Sequence, residues 1–363
     1  MSQFIPGLKL SERFYQEIIQ PRLCEKFPGL NYSAARLDYG SDVLGFDTPM
    51  SMDHGWGLRL TLYLSETHFD QLQTDLSAYF ANNLPFDFLG FPTHFAEPLA
   101  DGGVMTKKDS YPIHHGITIT TVERFFLDYL GLNINHSLDI KDWLTIPQQR
   151  LCTLRAGKIF HDGLGTLSNF REMLHWYPHD LWLYLMAGQW QRISQIEPFV
   201  GRAGSVGDQI GARIIASRLV QELMRLSFLM EQQYTPYIKW VGSAFQQLNI
   251  APKLTPLFEE ILNSTHWKQI EPNLSKAYFQ AAEAHNALKI TPHITPGVLP
   301  FYNRPFLVPH SARFVTALLA QVKDPSIKAL PPHLGSIDQI VDNTDLLENI
   351  LHCHQLAALY EDP

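Results

Sequence analysis

The sequence predicts an α+β protein: an N-terminal mixed β-sheet with flanking helices, followed by a mainly α-helical part. Three observations carry this. Leu58, Leu60, Leu62 and Leu64 alternate with Arg59, Thr61 and Tyr63, the period-2 pattern of a half-buried strand. Residues 115–122, HGITITTV, are rich in the β-branched types that suit a pleated surface. Beyond Leu130-Gly131 the apolar residues instead follow long helical periods. The boundary is therefore expected near residue 140, giving domains 1–140 and 141–363.

The elements follow in order. Residues 8–27 read as a helix, with Leu8, Leu10, Phe14, Ile18 and Ile19 at roughly helical spacing and Pro21 as a kink or break. After the strand near 58–65, a helix is predicted over 67–81, with Ser65 as its N-cap and an end near Asn82-Asn83. Residues 84–113 are rich in Pro, Gly and Asp and lack periodicity, as expected of a functional or mobile loop. The strongest helix is 208–231. Asp208 stands at its N-cap position, and Ile210, Ile214, Leu219, Leu223, Leu226 and Leu229 form a broad apolar face. Arg218 and Glu222, four residues apart, are expected to pair on its exposed side. Five prolines between 291 and 310 predict an extended crossing.

Composition narrows the function classes. With 363 residues, 45% of them hydrophobic, the chain can bury a large core. Its formal net charge is −8 and its longest basic run is Lys107-Lys108, so it lacks the basic surface that duplex nucleic acid requires. A small substrate or a protein is the expected partner. No signal-like leader and no apolar run of about 20 residues is present, which predicts a soluble cytoplasmic protein without membrane contact. Cys24, Cys152 and Cys353 are too few and too scattered for a disulfide framework or a zinc site, and are expected to be reduced and buried. The 16 histidines form pairs such as His114-His115 and His352/His354, without the clustered cysteines or carboxylates that would make zinc the expected ligand.

The densest chemistry lies in GSDVLGFDTPMSMDHGWGLRLTLYL, residues 40–64. Gly40 permits a tight turn whose N–H groups approach an anion, and Ser41 adds a hydroxyl, so the pair suits a triphosphate. Asp53 supplies a carboxylate for Mg²⁺, which takes one or two carboxylates together with phosphate oxygens. On a strand its same-face partner would be position 55. That position is Gly55. The competing reading of the whole stretch is a turn leading into a core strand.

A wider resemblance rests on AARLDYGSDVLGFDTPMSMDHGWG (34–57), YPHDLWLYLMAGQWQRISQIEPFVGR (177–202), VGDQIGARIIASRLVQELMRLSFLMEQQYTPYIKW (206–240), RPF (304–306) and GSIDQ (335–339). In these blocks the chain resembles a bacterial family of unknown function grouped with the kanamycin- and streptomycin-type nucleotidyltransferases. The resemblance implies a nucleotidyltransferase-like N-terminal domain and a nucleotide cleft between the two domains. It also implies transfer of a nucleoside monophosphate from a nucleoside triphosphate to a hydroxyl acceptor, a small molecule or a protein, with Mg²⁺ as cofactor. Asp53 would be a catalytic metal ligand and Glu123 a third carboxylate, unless Glu123 only favours a helix first turn. Asp208 would accept the hydroxyl proton, unless it is only a cap. Read from the residues of segment 234–240 themselves, Lys239 would neutralise phosphate and Tyr237 or Trp240 would stack on the base, unless they only seal a helix turn. The family pattern reads Asp-His-Asp-Trp-Gly where this chain reads Asp53-His54-Gly55-Trp56-Gly57. That departure opens an alternative: a nucleotide-binding or partner-binding protein without turnover on the same scaffold.

Overall fold

The computed structural model describes residues 3–96 and 103–361, which divide into two compact units. The first takes the chain up to Ser137 and again from Arg150 to His175; the second holds Leu138–Gln149 and everything from Trp176 onward. The chain leaves the first unit close to the expected boundary at 140, but then returns to it.

In the first unit, strands β1 (Tyr32–Arg36), β2 (Arg59–Leu64), β3 (Gly116–Thr121) and β4 (Lys158–Asp162) form one mixed sheet in the order β3-β2-β1-β4. β2 runs parallel to β3, with Leu62 opposite Ile119. β1 runs antiparallel to β2, with Ala34 opposite Leu62, and antiparallel to β4 across an irregularity between Ala34 and Ala35. Both predicted strands are present, yet β2 is buried on both faces rather than one. Its leucines pack into a core with Leu10, Phe14, Leu76 and Phe80. On the other face Tyr63 meets Phe125 edge-on at 5.3 Å, because helix Val122–Leu130 covers that side.

The N-terminal helix is interrupted where Pro21 requires it. Helix Gly7–Phe14 passes through a π turn, Tyr15–Ile19, into helix Gln20–Lys26. Pro21 has no N–H and its ring crowds the carbonyl four residues back, and the wider turn just before it relieves both. Helix Glu66–Asn83 starts at Ser65, whose hydroxyl accepts the His68 N–H at 3.3 Å. The stretch expected as a loose loop contains two short hairpins, Asp87–Phe88 with Phe91–Pro92 and His94–Ala96 with Val104–Thr106. Phe88, Phe91, Phe95 and Ile113 are buried and pin it down; residues 97–102 of that expectation lie outside the described residues.

Among the described residues the second unit is helical apart from one hairpin. Helix His179–Ile196 packs against helices Gln209–Met230 and Ala312–Leu319, and Trp190 stacks on Phe314 at 4.1 Å. Four expectations need correction among the described residues. Ile210 and Ile214 are 73% and 64% exposed, because they stand on the opposite side of helix Gln209–Met230 from the buried Ala212, Ala216, Leu219 and Leu223. Glu222 is buried: Arg192 grips it with Nη2 at 2.6 Å and Nε at 2.8 Å, while Arg218 lies at 3.7 Å. The proline-rich crossing contains the antiparallel pair Leu299–Phe301 and Arg304–Val308. Of the three cysteines, all free thiols, Cys353 is buried, Cys152 half-buried and Cys24 exposed. No described helix is long and apolar enough to cross a membrane.

Candidate functional site

The site grows from the end of β1. Arg36, 1% exposed, turns its guanidinium into the following loop. There Nη1 pairs with Asp38, and Nη2 donates to the Tyr39 carbonyl at 3.0 Å and reaches the buried Asp42 carboxylate at 3.4 Å. Burial pushes the guanidinium pKa down, and Asp42 opposes that shift. Gly40 is required here: it has φ +144, and a Cβ would come within 2.1 Å of Asp42 Oδ1. The turn then closes on itself, with Leu44 N–H bonded to the Gly40 carbonyl and Phe46 N–H to that of Ser41.

Closing the turn in this way leaves donors over. The N–H groups of Gly40, Ser41 and Asp42 donate to no described residue, the arrangement of an anion-binding nest. Beside it stands Arg59, the first residue of β2. Its guanidinium lies over the Tyr39 ring at 5.2 Å and donates Nη2 to the Tyr39 hydroxyl at 3.0 Å. Among the described residues Arg59 Nη1 is buried without a hydrogen-bond partner. An orphaned cationic donor next to free amides is chemically suited to phosphate oxygens.

Asp53 ends the 3-10 turn Pro49–Asp53, which Thr48 and Ser51 cap. Its carboxylate is 65% exposed and meets His54 Nδ1 at 3.1 Å. The same-face argument for positions 53 and 55 does not apply, because β2 starts only at Arg59. Gly55 instead takes φ +61, and its carbonyl accepts from Arg36 Nη2 at 3.4 Å. Arg36 thus ties the Gly40-Ser41 turn to the backbone two residues after Asp53. This cross-tie was not legible in the sequence, where an arginine at a strand end reads as a solvated charge. Asp47, a further carboxylate in this loop, is already occupied by the Gly7 N–H at 2.7 Å and Trp56 Nε1 at 2.8 Å.

Glu123 lies elsewhere. It sits in the first turn of helix Val122–Leu130, whose cap is Thr121. Since β2 and β3 are parallel and Leu64 faces Thr121, Glu123 follows the C-terminal ends of both strands, whereas Gly55 is held at the N-terminal end of β2. A six-residue strand separates those ends by roughly 17 Å. Among the described residues no group of three or more His, Cys, Asp or Glu could hold a metal ion. Asp53 alone fits a Mg²⁺ that keeps waters and phosphate oxygens; a metal pair shared with Glu123 does not fit.

The remaining expected residues belong to the second unit. Asp208 is an N-cap, its Oδ1 accepting the Gly211 N–H at 2.7 Å. Tyr237 accepts Trp240 Nε1 on its hydroxyl at 2.7 Å, and the exposed Lys239 lies 5.0 Å from the Trp240 ring. These contacts are what sealing a helix turn requires.

Comparison with known proteins covers different parts of the chain. Residues 143–241 match the model of a domain of unknown function, DUF4037. That segment contains Asp208, Tyr237 and Lys239 and none of Gly40, Ser41, Asp53 or Glu123. No curated protein matches the chain. Among solved structures the chain is similar to a nucleotidyltransferase-like protein from Exiguobacterium sibiricum 255-15, at 11% identity over 80% of this chain and 82% of that one, with a TM-score of 0.32.

Proposed function

We propose that the protein is a cytoplasmic nucleotide-binding protein on a nucleotidyltransferase-like scaffold, holding a nucleoside triphosphate at the Gly40-Ser41 turn without enzyme-like turnover. The observation that carries this is the set of unpaired N–H groups on Gly40, Ser41 and Asp42 beside the orphaned Arg59 Nη1. Amides and a guanidinium fixed in place before the ligand arrives suit a phosphate chain. Asp53 would hold the Mg²⁺ that accompanies the triphosphate. Transfer of a nucleoside monophosphate to a hydroxyl of a small molecule or protein, with Asp208 or Glu123 as base, is the activity the resemblance implies. It is the weaker reading because Gly55 provides no second carboxylate beside Asp53.

Calorimetric titration with ATP, GTP, CTP and UTP, with and without Mg²⁺, tests the proposal. At least one nucleotide is expected to bind more tightly with Mg²⁺. Asp53→Asn should erase that difference while leaving the melting temperature nearly unchanged, since an exposed carboxylate contributes little to the core. Absence of binding by all four nucleotides overturns the reading. So does transfer of label from an α-labelled triphosphate to an acceptor at enzyme-like rates of about 1 s⁻¹ or more.

A further inference from the structure

We propose that the second unit binds a small zwitterion, an α-amino acid with a short side chain, in the cavity formed by helix Gln209–Met230, residues 235–241 and residues 338–348. The cavity measures about 150 Å³. A cavity of that size takes a benzene-sized guest, so a ligand of roughly six to eight non-hydrogen atoms fits. The site is separate from the nucleotide turn and does not depend on that reading.

The chemistry follows from charges of both signs that line one cavity, Arg225 on one side and the carboxylates of Asp338, Asp342 and Glu348 on the other. Arg225 donates Nη1 to the Asp338 backbone carbonyl at 2.9 Å rather than to its carboxylate. Among the described residues the Asp338 carboxylate accepts uncharged backbone donors, the Gln148 N–H at 3.0 Å and its own N–H. Burial accordingly pushes its pKa up to about 6 against the pull of Gln148 and Arg225. Arg225 and Asp338 attract each other across the cavity without a hydrogen bond between their side chains, so each keeps capacity for a charged group of a ligand. A cation alone would meet the carboxylates and be repelled by Arg225; an anion alone would meet Arg225 and be repelled by Asp338, Asp342 and Glu348. An ammonium and a carboxylate on one carbon satisfy both. A short polar side chain would then meet the amides of Gln148 and Gln221, with Leu229 and Val241 as apolar wall.

The cavity wall is also fixed in advance. Gln339, next to Asp338, donates its side-chain amide to the Leu185 carbonyl at 2.9 Å and to Gln189 Oε1 at 3.1 Å. Gln189 in turn donates to the buried Glu222 at 2.7 Å. This chain of buried hydrogen bonds holds the short helix Ile337–Ile340 in place, which reduces the ordering a ligand must impose.

The test is calorimetry on the full chain at neutral pH with glycine, L-alanine, L-serine and L-threonine. Ethanolamine, which lacks the carboxylate, and L-lactate, which lacks the ammonium, serve as half-ligands. At least one amino acid is expected to bind with Kd below about 1 mM, and both half-ligands at least roughly tenfold more weakly. Arg225→Gln should weaken the amino acid by about tenfold or more while leaving ethanolamine unchanged; Asp338→Asn should spare L-lactate instead. Circular dichroism checks both variants for folding, and the half-ligand panel on the unaltered chain decides the matter if either fails to fold. Absence of binding by all four amino acids overturns the proposal, as does ethanolamine or L-lactate binding as tightly as the best of them.

Discussion

Arg36 and Arg225 belong to different units, and they treat neighbouring carboxylates in opposite ways. Around Arg36 the loop gathers Asp38 and Asp42 with two backbone carbonyls, so the charge is consumed by the architecture it holds together. Arg225 donates to a carbonyl and attracts the carboxylate of the same residue across a cavity without a hydrogen bond to it. The first arrangement makes a rigid loop whose binding capacity resides in what is left over, the free amides and Arg59. The second leaves the charges themselves available. Removal of a guanidinium should therefore be felt as lost folding in one unit and as lost recognition in the other.

The largest effect is expected at Arg36. Arg36→Met strands Asp42, 1% exposed, without a counter-charge, and breaking a buried pair from one side costs about 3–5 kcal/mol. Chemical denaturation followed in the first unit checks this; a loss under about 1 kcal/mol would mean that the loop does not depend on the cross-tie. A second test uses a buried carboxylate whose burial outweighs the attraction of the nearby Arg313. Glu197 accepts the Ser311 N–H at 3.1 Å, and burial raises its pKa from 4.5 to about 7. Folded protein then binds more protons than unfolded protein between those values, so stability falls as pH rises from about 4.5 to 7 and stays low above. At about 1.4 kcal/mol per unit, the change is on the order of 3 kcal/mol. Melting temperatures at pH 5 and pH 8 should show it. Glu197→Gln should remove most of the slope, with Asp338 leaving a smaller slope of the same sign. The smallest effect is expected for Arg225→Gln, which loses one hydrogen bond and should cost about 1 kcal/mol. A loss as large as that at Arg36 would erase the contrast between the two arginines.

What could be read from the sequence was local. The alternation in β2, the β-branched run of β3 and the caps Ser65 and Asp208 each depend on residues within a few positions, and each is found in place. The unread features are non-local. Glu222 looks like a surface partner of Arg218 four residues away, but the guanidinium that buries it comes from Arg192, thirty positions earlier. Ile210 and Ile214 do not share a face with Leu219 and Leu223: the core follows Ala212 and Ala216 instead, on the other side of the helix. Asp47 is spoken for by an amide forty residues before it. In the candidate site, Gly40, Ser41 and Asp53 were legible as a turn and a carboxylate. Arg36 and Arg59 were not, because their roles depend on how β1 and β2 bring two loops together. β4 escaped for the same reason: KIFHD carries little alternation, and its place is set by pairing with β1.

The late arrival of β4 has a consequence for biosynthesis. As the chain leaves the ribosome, β1, β2 and β3 emerge first, and one edge of β1 stays unpaired until residues 158–162 follow. Before they do, Leu138–Gln149 has emerged, a segment of the other unit whose partners are not yet made. Each unit therefore waits on the other's stretch of chain, and the nascent protein carries an open strand edge of the kind that pairs with wrong neighbours. A chain that stalls or is clipped between residues 138 and 158 would be released with that edge exposed, a ready seed for aggregation rather than a half-sized working domain.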